Sequence, residues 1–173
     1  MAISLYEASV TSYLQILGSV AGYLDRGLKH CQEKGIDPES VVATRLYEDM
    51  LPFRFQIQSV AHHSRGAAEA LLSGKFLPPL NQPEHDYAGL QALVAQARDT
   101  LQKMTPAEIN AREGADVVFE LGAQKLPFTA EGFVLSFSLP NFYFHASTAY
   151  DILRTKGVPL GKRHFLGALR MKT

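Results

Sequence analysis

Histidine offers the most chemistry in this sequence, and two of its six histidines fall on the apolar faces of amphipathic segments. His63 flanks an apolar stripe beside Gln56, whereas His62, at about 100° per residue, points almost opposite to that stripe. His145 lies directly in the apolar stripe of a later segment. Ligand and metal sites in helical bundles are built from such inward side chains on facing helices.

Two interpretations of these histidines are open. Imidazole is the commonest side-chain metal ligand, so His63 and His145 justify a search for a third donor. The nearest polar candidates are Asn141, one turn before His145, and the acidic pair Glu48 and Asp49. Alternatively, each histidine is a core-edge residue whose ring nitrogens bond to a neighbouring side chain or carbonyl, because buried polar groups are usually paired.

No other familiar catalytic arrangement is indicated. The sequence has no glycine-rich phosphate loop, no Cys-x-x-Cys pair and no nucleophile elbow. Its single cysteine, Cys31, completes an apolar stripe and is predicted to be a small core residue. An aromatic cluster in residues 133–150 is predicted to serve the core and an interface, with Tyr143 and Tyr150 on a face suited to a dimer contact.

The first element that positions these residues is a long helix, predicted from an apolar repeat that runs from Ile3 to Cys31 in alternating steps of three and four. We expect it to end at Lys34 and Gly35, because a lysine suits the negative helix end and glycine adopts a left-handed cap. Asp37 is then expected to cap a short helical turn.

Two further helices show the same kind of periodicity. One is predicted to begin near Pro52 and to close at residues 72–74, and another is predicted from about Asp86 to Met104. Between them, the three prolines in residues 76–83 predict a connecting loop.

β-Structure is predicted in one place only, before the last helix. Residues 117–121 and 125–129 flank a glycine-containing turn and predict a small hairpin. The last helix is expected from about Ala130 to Arg154, kinked or split at Pro140 because the proline ring blocks an internal hydrogen bond. The glycine-rich residues 157–167 predict an irregular tail packed on the surface.

These segments predict an all-α fold: an up-down four-helix bundle with one small hairpin, in a single domain spanning residues 1–173. A formal net charge of zero without a basic block predicts that nucleic acid is not a partner. No apolar run reaches the length of a membrane-spanning helix, so no membrane association is expected. The N-terminal residues lack the pattern of a signal peptide, which makes the cytoplasm the expected compartment.

Three motifs carry a family resemblance: residues 49–53 (DMLPF), 140–145 (PNFYFH) and 157–162 (GVPLGK). With these motifs the chain resembles an uncharacterised bacterial family grouped with the DinB/YfiT-like superfamily, over nearly its whole length. The resemblance implies a four-helix bundle that is often dimeric, so a homodimer is the expected assembly.

The resemblance also implies a ligand set. Many superfamily members hold a divalent metal with three histidines, one on the second helix and a His-x-x-x-His pair on the fourth, and some are metal-dependent thiol transferases or hydrolases. His63 matches the first ligand and His145 one member of the pair. One turn either side of His145 stand Asn141 and Ala149, so the pair is broken. Because zinc or nickel prefers three or more good donors, His63, His145 and Asn141 would form a weak site.

Three hypotheses about function follow. The first is a small-molecule-binding dimer, or one with a vestigial metal site, in which the histidines line an apolar pocket between helices without established catalysis. The second is a divalent-metal-dependent hydrolase or thiol transferase that uses His63 and His145 as ligands to zinc or nickel. The third is a structural dimer whose inward histidines are hydrogen-bonded spacers.

Overall fold

The computed structural model describes residues 3–79 and 82–172 of the chain. These residues are mostly helical and include a small three-stranded sheet. The buried apolar side chains form a core in which aromatic rings provide much of the buried surface. Its largest fully buried side chains include Tyr13, Tyr23, Phe53, Phe133 and Phe142.

The α-helical stretches of the described residues are numbered in chain order, and π-helical turns join several of them into longer runs. The turn Glu7–Thr11 precedes α1, His62–Gly66 joins α3 to α4, and Phe133–Ser138 joins α7 to α8. The stretches are α1 (Ser12–Lys34), α2 (Pro38–Val42), α3 (Phe53–Ala61), α4 (Ala67–Ser73), α5 (Tyr87–Lys103), α6 (Pro106–Asn110), α7 (Ala130–Gly132), α8 (Leu139–Thr155) and α9 (Lys162–Leu166).

The ends of the long helices lie where local chemistry predicts them. Gly35 has a φ of 63° and closes α1 in the left-handed conformation that glycine adopts without steric cost. Asp37 caps α2 by accepting a hydrogen bond from the Glu39 N–H. Asp86 caps α5 in the same way, because its Oδ1 accepts from the Gly89 N–H at 2.7 Å. The predicted starts and stops of these helices are therefore confirmed.

The long helices pack through their apolar faces and through buried tyrosine hydroxyls. Helices α1 and α3 each contact both α5 and α8. The Tyr23 hydroxyl of α1 donates to the Ala146 carbonyl of α8 at 3.1 Å, and the Tyr87 hydroxyl of α5 donates to the Leu24 carbonyl of α1 at 2.8 Å. Each hydroxyl keeps a partner as its ring enters the core. Among the described helices, none has the length and apolar character needed to cross a lipid bilayer.

The small sheet contains one strand more than the sequence predicts. Strands β2 (Asp116–Leu121) and β3 (Gln124–Thr129) pair antiparallel where β-structure is expected, but β1 (Lys75–Phe76) pairs parallel with β2. The prediction that residues 117–129 hold the only β-structure is therefore wrong. The chain turns at Gly74, whose φ is 77°, and this turn brings β1 alongside β2 and buries the Phe76 ring in the core.

The last helical run passes through Pro140 without a split. Because proline has no N–H to donate, it cannot form the ordinary bond to the preceding turn. The π-helical turn Phe133–Ser138 lies directly before it and accommodates an extra residue per turn. Asn141 Nδ2 donates to the Phe137 carbonyl at 2.7 Å, which adds a side-chain hydrogen bond next to the proline. The predicted split is therefore absent, and the predicted kink at Pro140 stays a prediction.

Helix α9 corrects the prediction of a wholly irregular tail. The glycines that argued against a helix, Gly161 and Gly167, flank α9 instead of interrupting it. The short helix packs against α1, and Gln15 Nε2 donates to the Leu166 carbonyl at 2.9 Å. The tail is therefore attached to the first long helix by a specific hydrogen bond.

A chain of two hydrogen bonds connects three of the long runs inside the core. The Tyr13 hydroxyl lies 2.6 Å from Ser138 Oγ, and Ser138 Oγ donates to the His63 carbonyl at 2.7 Å. Because the serine proton is used in the second bond, Tyr13 is the donor in the first. Tyr13 and Ser138 are both fully buried, so each bond replaces one that water would otherwise provide.

We expect Ser138→Ala to lower the free energy of unfolding more than Tyr13→Phe does. Losing the serine leaves the buried Tyr13 hydroxyl without its acceptor and removes a donor from the His63 carbonyl, at about 1–3 kcal/mol per unpaired group. Losing the tyrosine hydroxyl leaves the second bond intact, at about 1 kcal/mol. Urea unfolding of both variants measures this. Equal losses would contradict the proposed direction of the hydrogen bonds.

Candidate functional site

A cavity of about 290 Å³ lies between the α3–α4 run and α8, and the predicted histidines line it. Its wall is mainly aromatic, its polar groups are neutral, and none of the described residues contributes an acidic or cationic side chain to it. The lining comprises Phe55, Ser59, His62, His63, Phe76, Pro78, Pro79, Phe119, Phe137, Asn141 and His145. Small-molecule pockets span about 300–1,000 Å³, so this cavity suits a small ligand.

His145 has a defined tautomer because of Gln56. Gln56 Nε2 donates to the Leu51 carbonyl at 2.8 Å, which leaves its Oε1 as the acceptor for His145 Nδ1, also at 2.8 Å. The imidazole therefore carries its proton on Nδ1, and Nε2 retains a lone pair. A buried glutamine thus orients His145 and makes its second nitrogen a hydrogen-bond acceptor.

His63 is packed between rings instead of being hydrogen-bonded. Its imidazole stacks on that of His145, with ring centroids 5.8 Å apart and an interplanar angle of 17°, and it also contacts Phe76 and Phe137. His63 Nδ1 is buried and has no protein partner among the described residues. An unpaired buried nitrogen is costly, so it marks a position where a ligand would find an unused hydrogen-bonding group.

His62 also belongs to the site, which the sequence did not predict. Its ring lies 4.5 Å from the Phe76 ring and 5.3 Å from the His63 ring between centroids. Its buried Nε2 forms no hydrogen bond of ordinary geometry in the described chain, although the Leu77 backbone lies near enough to the ring to oppose the lowering of its pKa. The prediction that it lies away from the site is wrong because β1, which the sequence does not predict, places the Phe76 ring against His62 and so encloses this side of the helix.

Burial keeps all three imidazoles neutral. It lowers the pKa of His62 to about 4 and that of His145 to about 4. The pKa of His63 falls to about 3, first because of burial and then because a charge there would be repelled by charged His62 and His145. At neutral pH the site therefore presents uncharged donors and acceptors.

The donor set does not fit the three-histidine metal site that the resemblance implies. Asn141 lines the cavity, but its Nδ2 is bonded to the Phe137 carbonyl, which leaves one amide oxygen beside His63 and His145. Within residues 3–79 and 82–172, no group of three or more histidine, cysteine or acidic side chains is arranged to hold a metal ion. We therefore derive no step that depends on a metal.

The remaining predicted candidates lie elsewhere. Glu48 and Asp49 are exposed and do not line the cavity. Cys31 is buried in the core as predicted, and burial raises the pKa of its thiol. Tyr143 is 38% exposed, whereas the Tyr150 ring packs against Tyr23 and Phe165 within the chain.

Three aromatic residues of the site, Phe55, Phe76 and Phe119, were missed at the sequence level. Phe55 of α3 contacts His145, with ring centroids 5.7 Å apart. Phe76 contacts His62 and His63, and Phe119 contacts both Phe76 and Phe137. Both phenylalanines come from the sheet, where β1 pairs with β2 and Phe76 lies opposite Phe119. In the sequence these are single aromatic residues in two distant segments, and nothing local indicates that the segments pair.

Comparison with known proteins agrees with the DinB-like resemblance. A family model described as "Domain of unknown function (DUF1993)" matches residues 5–166. The fold is similar to the crystal structure of a DinB family member protein from Shewanella denitrificans, with a TM-score of 0.80 and 25% sequence identity over 98% of this chain and 95% of that chain. No curated protein gives a significant match.

Neutral imidazoles make stability depend on pH. The unfolded chain binds a proton on His63 below its ordinary pKa of 6.5, whereas the folded chain does not until about pH 3. The free energy of unfolding should therefore fall as the pH is lowered from about 6.5 to 4. His63→Phe should reduce this slope by about 1 kcal/mol per pH unit, measured by urea unfolding.

Phe137→Leu serves as the matched control for this prediction. It alters packing beside His63 but removes no titratable group, so it should lower stability equally at every pH. A slope in His63→Phe identical to that of the unmodified protein would contradict the prediction, because it would show that His63 takes up its proton over the same pH range in the folded and unfolded states.

Proposed function

Because this chain belongs to the DUF1993 family and has a DinB-like fold, we propose that it is a small-molecule-binding protein whose ligand occupies the histidine–aromatic cavity without a metal. One observation carries the proposal: three neutral imidazoles line a mainly aromatic cavity, and within the described residues buried nitrogens of His62 and His63 form no hydrogen bond of ordinary geometry. A few polar groups in a mainly apolar pocket are what small-molecule sites use to orient a ligand.

The cavity chemistry selects a small, flat and uncharged ligand. Rings of Phe55, Phe76 and Phe137 provide apolar faces on which a planar molecule stacks. His145 Nε2 is an acceptor because Gln56 holds the proton of that ring on Nδ1. A ligand with one hydroxyl or N–H group would therefore donate a hydrogen bond to His145 Nε2.

Charged ligands are disfavoured for a separate reason. The cavity offers no ionised side chain to compensate for the loss of water around a carboxylate or an ammonium group. The imidazoles do not supply the missing charge, since burial lowers their pKa values to about 3–4. Neutral molecules are thus preferred over ions of the same shape.

The alternative is a divalent-metal-dependent hydrolase or thiol transferase with zinc or nickel on His63 and His145. Although His62, His63 and His145 all line the cavity, no group of three such side chains in the described residues is arranged to hold a metal ion, which argues against it. Element analysis of protein purified without a histidine tag separates the two proposals. About one equivalent of bound metal, lost in His63→Ala, would replace our proposal with the metal-dependent one.

The architecture and assembly belong to the same proposal. We propose that residues 1–173 form one domain, with its four long helical runs as an up-down bundle, because α1 and α3 each pack against α5 and α8. A homodimer is proposed because the last run exposes the large apolar side chains of Leu135, Tyr143 and Phe144, which a second copy would cover. A cytoplasmic location is proposed because the single cysteine, Cys31, is buried and has no second cysteine for an intramolecular disulfide. Light scattering tests the dimer.

Phenol, toluene and benzoate are probes that differ mainly in one substituent. We expect phenol to bind more tightly than toluene by about tenfold, which corresponds to about 1.4 kcal/mol for one hydrogen bond. Benzoate should bind most weakly because its charge is desolvated without a partner. Titration followed by nuclear magnetic resonance measures all three and locates the signals that shift.

His145→Phe should abolish the preference for phenol over toluene while leaving toluene binding in place. His30→Phe is the matched control, because this histidine does not line the cavity. Failure of all three probes to produce saturable shifts at the cavity residues would overturn the proposed function.

A further inference from the structure

A second cavity, of about 440 Å³, is lined by residues of α1, α5 and α9 and by the two residues that follow α9. It shares no lining residue with the histidine–aromatic cavity. Arg26 of α1, Arg98 of α5 and Arg163 of α9 converge on it, together with His164. Cationic groups from three separate elements thus meet around one space.

The charge in this second cavity is uncompensated. No acidic residue lines it, and none of the three arginines forms an ion pair within residues 3–79 and 82–172. Arg98 Nε is buried and has no hydrogen-bond partner in the described chain. Asp25 lies in the adjoining groove beside Arg98, but its Oδ1 accepts from Gln91 Nε2 at 2.8 Å. Arg26 and Arg163 are exposed and Arg98 is half-buried, so an anion in this cavity has access to guanidinium N–H groups from three elements.

His164 adds a further donor of fixed direction. Its Nδ1 accepts from the Gly161 N–H at 2.8 Å, so in the neutral ring the proton lies on Nε2. The charged side chains and this imidazole therefore all offer N–H groups. The set matches a ligand whose surface consists of acceptor oxygens.

The shape of the cavity depends on three glycines. Gly18 and Gly22 form the α1 side, and no heavy atom lies within 4 Å of where a Cβ would stand, so the space above them is open. Gly167 has a φ of 64°, and a Cβ there would collide with Ser19 Oγ. The segment after α9 thus approaches α1 closely at Gly167, whereas the cavity remains open above Gly18 and Gly22.

From these observations we infer a binding site for a phosphate-type oxyanion, free or as the phosphate group of a small metabolite. Arginine is the side chain best suited to this ligand because its planar group donates two parallel hydrogen bonds to phosphate oxygens. The volume of 440 Å³ accommodates an ion of this size with a small substituent.

Isothermal titration calorimetry of the full chain with pyrophosphate and with glycerol 3-phosphate tests the inference. Saturable binding of pyrophosphate alone identifies a free-anion site, and binding of both identifies a site that also accepts phosphate esters. Either affinity should fall as sodium chloride is raised, because the attraction is electrostatic. Saturable binding of neither probe overturns the inference.

Two kinds of variant locate the site. Arg98→Gln combined with Arg163→Gln should weaken binding by about tenfold or more, whereas Lys103→Gln, which removes a charge from α5 outside the cavity, should change it by less than about twofold. Equal weakening in both would overturn the inference, since it would indicate only a general charge effect.

Gly22→Leu keeps all the charges and fills the open space instead. Because nothing lies within 4 Å of the Cβ position, the side chain should be accommodated without lowering Tm, while binding is lost. Unchanged affinity in this folded variant would place any bound anion outside the cavity.

Discussion

The hydrogen-bond chain from Tyr13 through Ser138 to the His63 carbonyl is the interaction on which the rest of the structure depends. It joins three long helical runs at one level of the core, where water cannot replace a lost partner. Ser138 ends the π-helical turn of the last run, and His63 lies in that of the second. π-Helical turns occur often at functional sites, and here one of them contains His62 and His63 of the cavity wall.

The candidate site is polar but uncharged because three buried histidines line it. Burial among aromatic rings favours the neutral imidazole, and only His145 has a ring nitrogen paired by a protein side chain, Gln56. The unpaired nitrogens of His62 and His63 are a cost to the folded state that a ligand would relieve. Stability and binding are therefore linked, because a ligand that pairs a nitrogen of His62 or His63 would stabilise the folded state.

The two cavities illustrate opposite solutions to ligand recognition on one scaffold. The histidine–aromatic cavity contains no ionised side chain, so it excludes ions through desolvation. The cavity beside α9 has three arginines and no acid, so it attracts an anion through charge. Both are formed where a short element, β1 in one case and α9 in the other, packs against a long helix. The long helices supply the core, and the short elements supply the sites.

The sequence alone determined the long helices and their ends, because apolar periodicity and caps such as Gly35 and Asp86 act over a few neighbouring residues. It also identified His63 and His145 as a facing pair. It did not predict β1, α9 or the inward position of His62, since each depends on contacts with segments distant in the chain. Only the tertiary structure decided which nitrogens are paired, which arginines converge and where a helix widens, because these follow from packing between segments that no local pattern encodes.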